Sequence, residues 1–412
     1  MTYSGSKAGR ALATVEPLER RQLLAAHGFV TQNNLLSDGF LSGVPADANL
    51  QNPWGVSFFP GGPLWVSDNA TGMTTFYDGT GAKQGQVAIP GGGGANPSNP
   101  TGQAYAGGQM SFDGTPEQFV FVGEDGAISA WASGTTATLV HDNSPGAVYK
   151  GATIVQTGTG DELFAANFRA GTVEVYDQNF NAMSVPGGFA DKRIPKGYAP
   201  FNVQNVNGQL YVTYAKQDAA KHDDVAGPGH GFVDVFDASG HLLHRLQHGS
   251  FLDSPWGVAV APSTWGSFAG DILVGQFGNG RIDVFNSKGH FIDVLRNQVG
   301  KPLAIDGLWA VTPGSGLPTA DPNAIFFTAG PNRKKDGLFG DLTFTVGTFK
   351  HPKHQSSGST STTTTTTSPG SPVGQTGGST TGSTGQPGGS TGGTTVGNTG
   401  GSMGMPGYPI NY

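Results

Sequence analysis

The chain has 412 residues, with 22 Lys and Arg against 29 Asp and Glu and a formal net charge of −7. That balance leaves no basic footprint for nucleic acid, the absence of Cys excludes disulfides and thiolate metal sites, and no apolar run reaches the roughly 18 residues that a membrane span needs. Charged residues make up 12%, about half the usual share, while 68 Gly imply many tight turns and few long helices, hence an all-β chain.

Residues 1–28 read as a separate N-terminal segment. Lys7 and Arg10 suit the start of a signal peptide, but Glu16, Glu19, Arg20 and Arg21 interrupt the apolar stretch that should follow. The run Val15-Glu16-Pro17-Leu18-Glu19-Arg20-Arg21-Gln22-Leu23-Leu24-Ala25 instead resembles the LEPR-XLL type of sorting motif, which lies near the N-terminus of large surface or secreted proteins of planctomycete bacteria. The resemblance implies export to the cell envelope or beyond.

Residues 29–350 repeat. Six segments share one phase mark: Asn52-Pro53-Trp54-Gly55-Val56, Asn99-Pro100-Thr101-Gly102, Tyr149-Lys150-Gly151-Ala152, Ala199-Pro200-Phe201-Asn202, Ser254-Pro255-Trp256-Gly257-Val258 and Asp306-Gly307-Leu308-Trp309-Ala310. Their spacing of roughly 50 residues marks a solenoid, propeller or array. After each mark the same events recur. In the fifth segment they are the strands Gly257–Val260, Asp271–Val274, Arg281–Phe285 and His290–Leu295, separated by Gly, Asn and Ser turns. The third strands Thr172–Asp177, Phe232–Asp237 and Arg281–Phe285 alternate with the period of antiparallel strands.

Four strands, six times over, predict a six-bladed β-propeller of four-stranded antiparallel blades. The strand-like segment Phe29–Leu35 is expected to complete the last blade beside Gly340–Thr345, closing the ring and removing exposed edges. Residues 351–412 form the third region. From Gln355 to Pro406 the sequence is almost only Ser, Thr, Gly and Pro, with a Thr run at Thr362–Thr367, and such composition predicts a disordered tail.

In a propeller the connections entering each first strand and those joining second to third strands share one face. They place Asn52, Asp68, Asn69, Glu124, Asp125, Lys150, Asn167, Arg169, Lys216, Gln276, Asn279, Asp306 and Asn332 around the mouth of the central channel. Taken singly, each Asn or Asp among them is expected to bond the backbone of its own turn.

The fourth blade carries an insertion on that face, Lys216 to Gly231, containing Asp218, Lys221, His222, Asp223, Asp224 and His230. Its ligand spacing fits neither an EF-hand nor a paired-histidine zinc loop, so a lid packed on the mouth is expected. Should the loop hold a divalent cation such as calcium, His222, Asp223 and Asp224 are its candidates. Asn332-Arg333-Lys334-Lys335-Asp336 reads as a solvated basic turn, and Trp54, Trp256 and Trp309 as core or channel packing. Outside the low-complexity tail the sequence holds no Gly-x-Ser-x-Gly elbow, and nowhere a phosphate loop or His-Glu-x-x-His.

The blade pattern, Pro-x-Gly-Val followed by Val-Asp-Val-Phe-Asp, resembles the NHL-repeat class of propellers. A closer resemblance spans about residues 29–345. It rests on Asn52–Ser57, Glu124–Trp131, Ala147–Gly151, Gly197–Asp237, Ser254–Gly257 and Phe327–Asn332. It is to a family of bacterial exported propellers of unassigned activity, and implies fold and export without chemistry. Two functions remain open: a non-catalytic binding or scaffold propeller that offers its mouth to an unknown ligand or protein, and a metal-dependent hydrolase or lyase of the lactonase-like type. The second would draw on Asp68, Glu124, Asn167 and Asp306. A monomer is expected.

Overall fold

The computed structural model describes residues 28–349, and over that span the repeat becomes six antiparallel sheets of four strands each. The sorting-like segment and the Ser/Thr/Gly-rich tail lie outside the described residues. Every phase mark opens an innermost strand: Pro53–Ser57, Pro100–Phe112, Tyr149–Thr157, Tyr198–Val206, Pro255–Val260 and Leu308–Pro313. Within five blades the strands follow chain order outward, so alternate connections fall on opposite faces. The sixth blade takes its outermost strand, Gly28–Ser37, from the start of the described chain. That strand lies beside Leu338–Val346, as the sequence predicts, and the two pair antiparallel with Gly28 opposite Val346 and Asn34 opposite Gly340. Among the described residues no helix is long and apolar enough to cross a membrane.

The buried apolar side chains form six clusters that each fill the gap between neighbouring blades, and a seventh that lies on the axis. The axis is crowded because glycine recurs where innermost strands meet. A Cβ on Gly102 would lie 2.3 Å from Ala152 N, on Gly151 1.9 Å from Asn202 Oδ1, and on Gly55 or Gly257 2.6 Å from a neighbouring carbonyl oxygen. Side chains then latch one blade to the next. Gln103 Nε2 donates to Gly55 O at 2.8 Å, Thr101 Oγ1 to Tyr149 O at 2.9 Å, Asn202 Nδ2 to Trp256 O at 2.9 Å, and the Thr328 hydroxyl to Trp54 O. Where the innermost strands meet lies a cavity of about 20 Å³, room for roughly one water.

The third strands carry acids at equivalent positions, Glu174 half-buried and Asp234 and Asp283 buried. Glu174 accepts from Asn167 and Tyr149, and Asp234 from both Nε and Nη2 of Arg245 at 2.6 and 3.2 Å. Asp283 accepts only from Gln276 Nε2, at 3.1 Å, and its Oδ1 has no partner. Burial pushes its carboxyl up to about 8 from the usual 3.8, against a smaller opposing pull from Arg281. The folded protein therefore holds a proton that the unfolded chain has released, and stability falls as pH rises from about 4 to about 8.

Urea unfolding midpoints should decline over that range, and Asp283→Asn should flatten the decline. At the axis, Gly102→Ala should cost about 2 kcal/mol in urea unfolding because the added carbon meets backbone that cannot yield. Gly158→Ala, where a Cβ meets nothing within 4 Å, should be close to neutral.

Candidate functional site at the channel mouth

The phase-mark tryptophans of blades one, five and six converge on the axis. Trp54 and Trp309 stack with ring centroids 3.4 Å apart, Phe277 stacks on the other face of this pair at 3.9 Å from Trp309, and Trp256 meets both tryptophans edge-on. Phe168 and Phe201 complete this aromatic floor. Two ammonium groups rest on it. Lys150 Nζ lies 5.2 Å from the Trp54 centroid and 5.8 Å from that of Phe168; Lys334 Nζ lies 5.4 to 5.7 Å from Phe277, Trp54 and Trp309. Both distances suit cation–π attraction.

Lys150 reaches the floor from the start of an innermost strand and is fully buried. Lys334 is delivered differently. Asn332, Arg333 and Lys334 have φ of 54°, 62° and 65°, three successive residues in the left-handed region. For Arg and Lys this conformation costs of order 1 kcal/mol each, and it turns Lys334 inward. Asn332, Arg333 and Lys335 are exposed, as in the solvated turn that the sequence suggests, and Lys334 is the basic residue that leaves it for the floor.

The polar side chains link into a closed circuit around the mouth. Trp309 Nε1 of blade six donates to Asn52 Oδ1 of blade one (3.0 Å), Asn52 Nδ2 to Asn69 Oδ1 (2.9 Å), and Asn69 Nδ2 to Glu124 Oε2 of blade two (2.9 Å). Lys150 of blade three donates to Glu124 Oε1 and lies 3.9 Å from Asp223 of the blade-four insertion. Lys334 Nζ donates to Asp223 Oδ1 at 2.9 Å, which returns the circuit to blade six. His222 Nδ1 stands 3.4 Å from Asp223 Oδ2. The insertion thus packs on the mouth as a lid.

The charges balance locally, two lysines against two carboxylates. Burial pushes Glu124 up, but Lys150 and Lys334 outweigh it and hold the carboxyl below its ordinary value. His222, then Lys334 and Lys150, hold Asp223 far below the carboxylate range. Burial lowers Lys334, yet Glu124 and Asp223 raise it on balance, so it stays charged. Asp224 is the exception: burial raises its carboxyl despite Ser254 and the lysines, and its Oδ2 has no hydrogen-bond partner.

Ligand atoms of Glu124, His222 and Asp223 lie within 4.8 Å of one another, a possible acidic-residue metal site. The donor set fits the lysines better than a divalent cation, because both carboxylates already face ammonium groups that would repel added positive charge. The remaining candidates stay in their own blades. Asp68 accepts from Thr75 Oγ1 at 2.8 Å; Asn167 accepts from the Val148 and Ala170 amides; Asp306 accepts from the Asn332 amide at 2.8 Å. Asn332 donates its side chain to Asp336, His230 Nδ1 sits 2.8 Å from Val225 O, and Lys216 offers its backbone carbonyl to the Val225 amide. Asp68, Asn167 and Asp306 therefore do not join Glu124 in a shared ligand set. Sequence reasoning also missed the aromatic floor as a lysine platform, since nothing local marks Phe168 or Phe277.

Fold and site together define a six-bladed propeller whose axis is packed and whose mouth is closed by ion pairs. No protein-family model matches the chain. "Uncharacterized protein R648" and "Uncharacterized protein L690" of Acanthamoeba polyphaga mimivirus are each 31% identical to it over 327 residues, spanning 75% of this chain and 79% and 84% of theirs. The chain belongs to the family of these mimivirus proteins. Among solved structures, a protein of unknown function from Bacteroides thetaiotaomicron aligns at TM-score 0.51 and 11% identity, with 77% of each chain covered. Virginiamycin B lyase from Staphylococcus aureus aligns at 0.46 and 9% identity, covering 77% of this chain and 99% of that one. A gluconolactonase from Xanthomonas campestris aligns at 0.43 and 14% identity, covering 80% and 99%. At these identities the likeness shows the fold alone.

Glu124→Gln should cost about 3 kcal/mol in denaturant unfolding, because it removes the direct carboxylate partner of the buried Lys150 and leaves it only the more distant Asp223. Asp223→Asn should loosen the lid, and limited trypsin digestion should then cut after the exposed Lys221 several times faster than in the wild type, with little change in the global unfolding midpoint.

Proposed function

We propose that this protein is an exported, non-catalytic binding or scaffold propeller that presents its mouth face to a ligand or protein partner. The observation that carries the reading is the closed circuit from Trp309 through Asn52, Asn69, Glu124, Lys150 and Asp223 to Lys334. It leaves both mouth carboxylates paired with lysine, over a cavity on the axis of about 20 Å³, whereas small-molecule sites usually enclose roughly 300 Å³ or more. The strained turn Asn332–Lys334 supports a role for this face, since such strain gathers at functional sites. Export is supported by the sorting-like segment and the Ser/Thr/Gly-rich tail.

A second reading keeps the Glu124–His222–Asp223 group as a calcium or other divalent site serving a lactonase-like hydrolase or lyase. It requires that a cation displace both lysine ammonium groups.

Metal analysis of the purified protein, with calcium titration followed by calorimetry, separates the two. The scaffold reading expects well under one bound divalent ion per chain and no lactone hydrolysis with added calcium. Stoichiometric metal, together with hydrolysis that Glu124→Ala abolishes, would establish the enzyme instead.

A further inference from the structure

The face opposite the mouth carries a second feature. Connections from first to second strands and from third to fourth strands emerge there, and in blade two they bound a groove of about 360 Å³. One wall is the tip of the hairpin formed by the strands Pro100–Phe112 and Thr115–Gly123. Between Tyr105 and Met110 the register shifts, because Tyr105 pairs with Phe119 and Met110 with Glu117, so the inner strand bulges. Bulges of this kind re-aim side chains and recur beside binding sites. The other wall is the loop after Trp131.

Both walls are pinned. The Ser111 amide donates to Gln178 O of blade three at 2.8 Å, while the Ala88 amide of blade one donates to Thr135 O and accepts, through its carbonyl, from the Ala137 amide, each at 2.9 Å. The groove is therefore preformed, which lowers the entropic cost of binding.

Glu117 lines this groove and is only 3% exposed, yet its Oε2 has no hydrogen-bond partner. Burial raises its carboxyl above the usual value. An unpaired buried carboxyl weakens a fold unless something outside the fold completes it. Its surroundings define what that is. Phe112 and Trp131 supply apolar surface, Thr136 and Thr138 supply hydroxyls, and Asp113 adds a second carboxylate. No Lys, Arg or His lines the groove, which disfavours phosphates and other anions.

We propose that this groove binds a neutral polyhydroxylated ligand, a sugar unit of a glycan, with the Glu117 carboxyl bonding its hydroxyls. A sugar offers donors and acceptors to Glu117 in either protonation state, and its C–H face suits the aromatic strip. The proposal concerns the opposite face from the mouth and stands apart from the reading given above.

The test is saturation-transfer difference NMR on the full chain with free glucose, galactose, mannose and N-acetylglucosamine. At least one sugar should show transfer, lost in Glu117→Met and in Thr138→Trp, which fills the groove. Glu117→Met should also raise the thermal midpoint by about 4 °C, because it removes an unpaired buried carboxyl. No transfer from any sugar overturns the proposal, as does transfer that survives both substitutions. A lowered midpoint for Glu117→Met overturns it too, by showing the carboxyl to be structural. So would a response to calcium chloride alone in the absence of any response to sugars.

Discussion

The close approach of the innermost strands at the axis governs the rest of this structure. Gly55, Gly102, Gly151 and Gly257 stand where a side chain would collide with the next blade. Without a Cβ there, backbones come near enough for Gln103, Thr101, Asn202 and Thr328 to bond the carbonyls of neighbouring blades. Trp54, Trp256 and Trp309, which follow Pro53, Pro255 and Leu308, then pack on one another at the mouth. A polarizable floor forms, and two lysines settle on it. Two buried or half-buried ammonium groups demand carboxylates, and Glu124 and the inserted Asp223 supply them.

The two ends of blade two illustrate opposite treatments of a buried acid. Glu124 has Asn69 and Lys150 on its two oxygens and Lys334 nearby, so its charge is stabilised in place. Glu117, one strand-length away on Thr115–Gly123, has an oxygen without any donor. The first arrangement makes the acid part of the scaffold. The second leaves a polar valence that the chain itself does not fill, which is the physical distinction between a strut and a socket.

The propeller was legible because each blade repeats a strong local pattern: a phase mark, an alternating third strand such as Phe232–Asp237, and turns built on Gly and Asn. The partner of the closing strand was legible too, since Phe29–Leu35 had no partner in its own neighbourhood, but its register was not. The mouth was legible as a list of positions, because topology alone puts Asn52, Glu124 and Lys150 on one face. Which of them converge was not. That depends on a left-handed turn at Arg333 and Lys334, residue types that give no sign of positive φ, and on the path of an insertion whose length was visible but whose landing point at Lys150 and Lys334 was not. Glu117 escaped notice because it lies in a strand between exposed and buried neighbours, and only the bulge beside Met110 explains its burial. The relatives that establish the family are viral and uncharacterized, so the bacterial and export implications of the sequence rest on resemblance alone.

The closing strand carries one more consequence. Gly28 lies opposite Val346, so the two ends of the described chain leave the ring side by side from the outer edge of blade six. Tension applied through both ends would act at one end of this antiparallel pair and break its hydrogen bonds in succession, not all at once. The ring that is held together by its packed axis would open under load like a zip, beginning at Gly28.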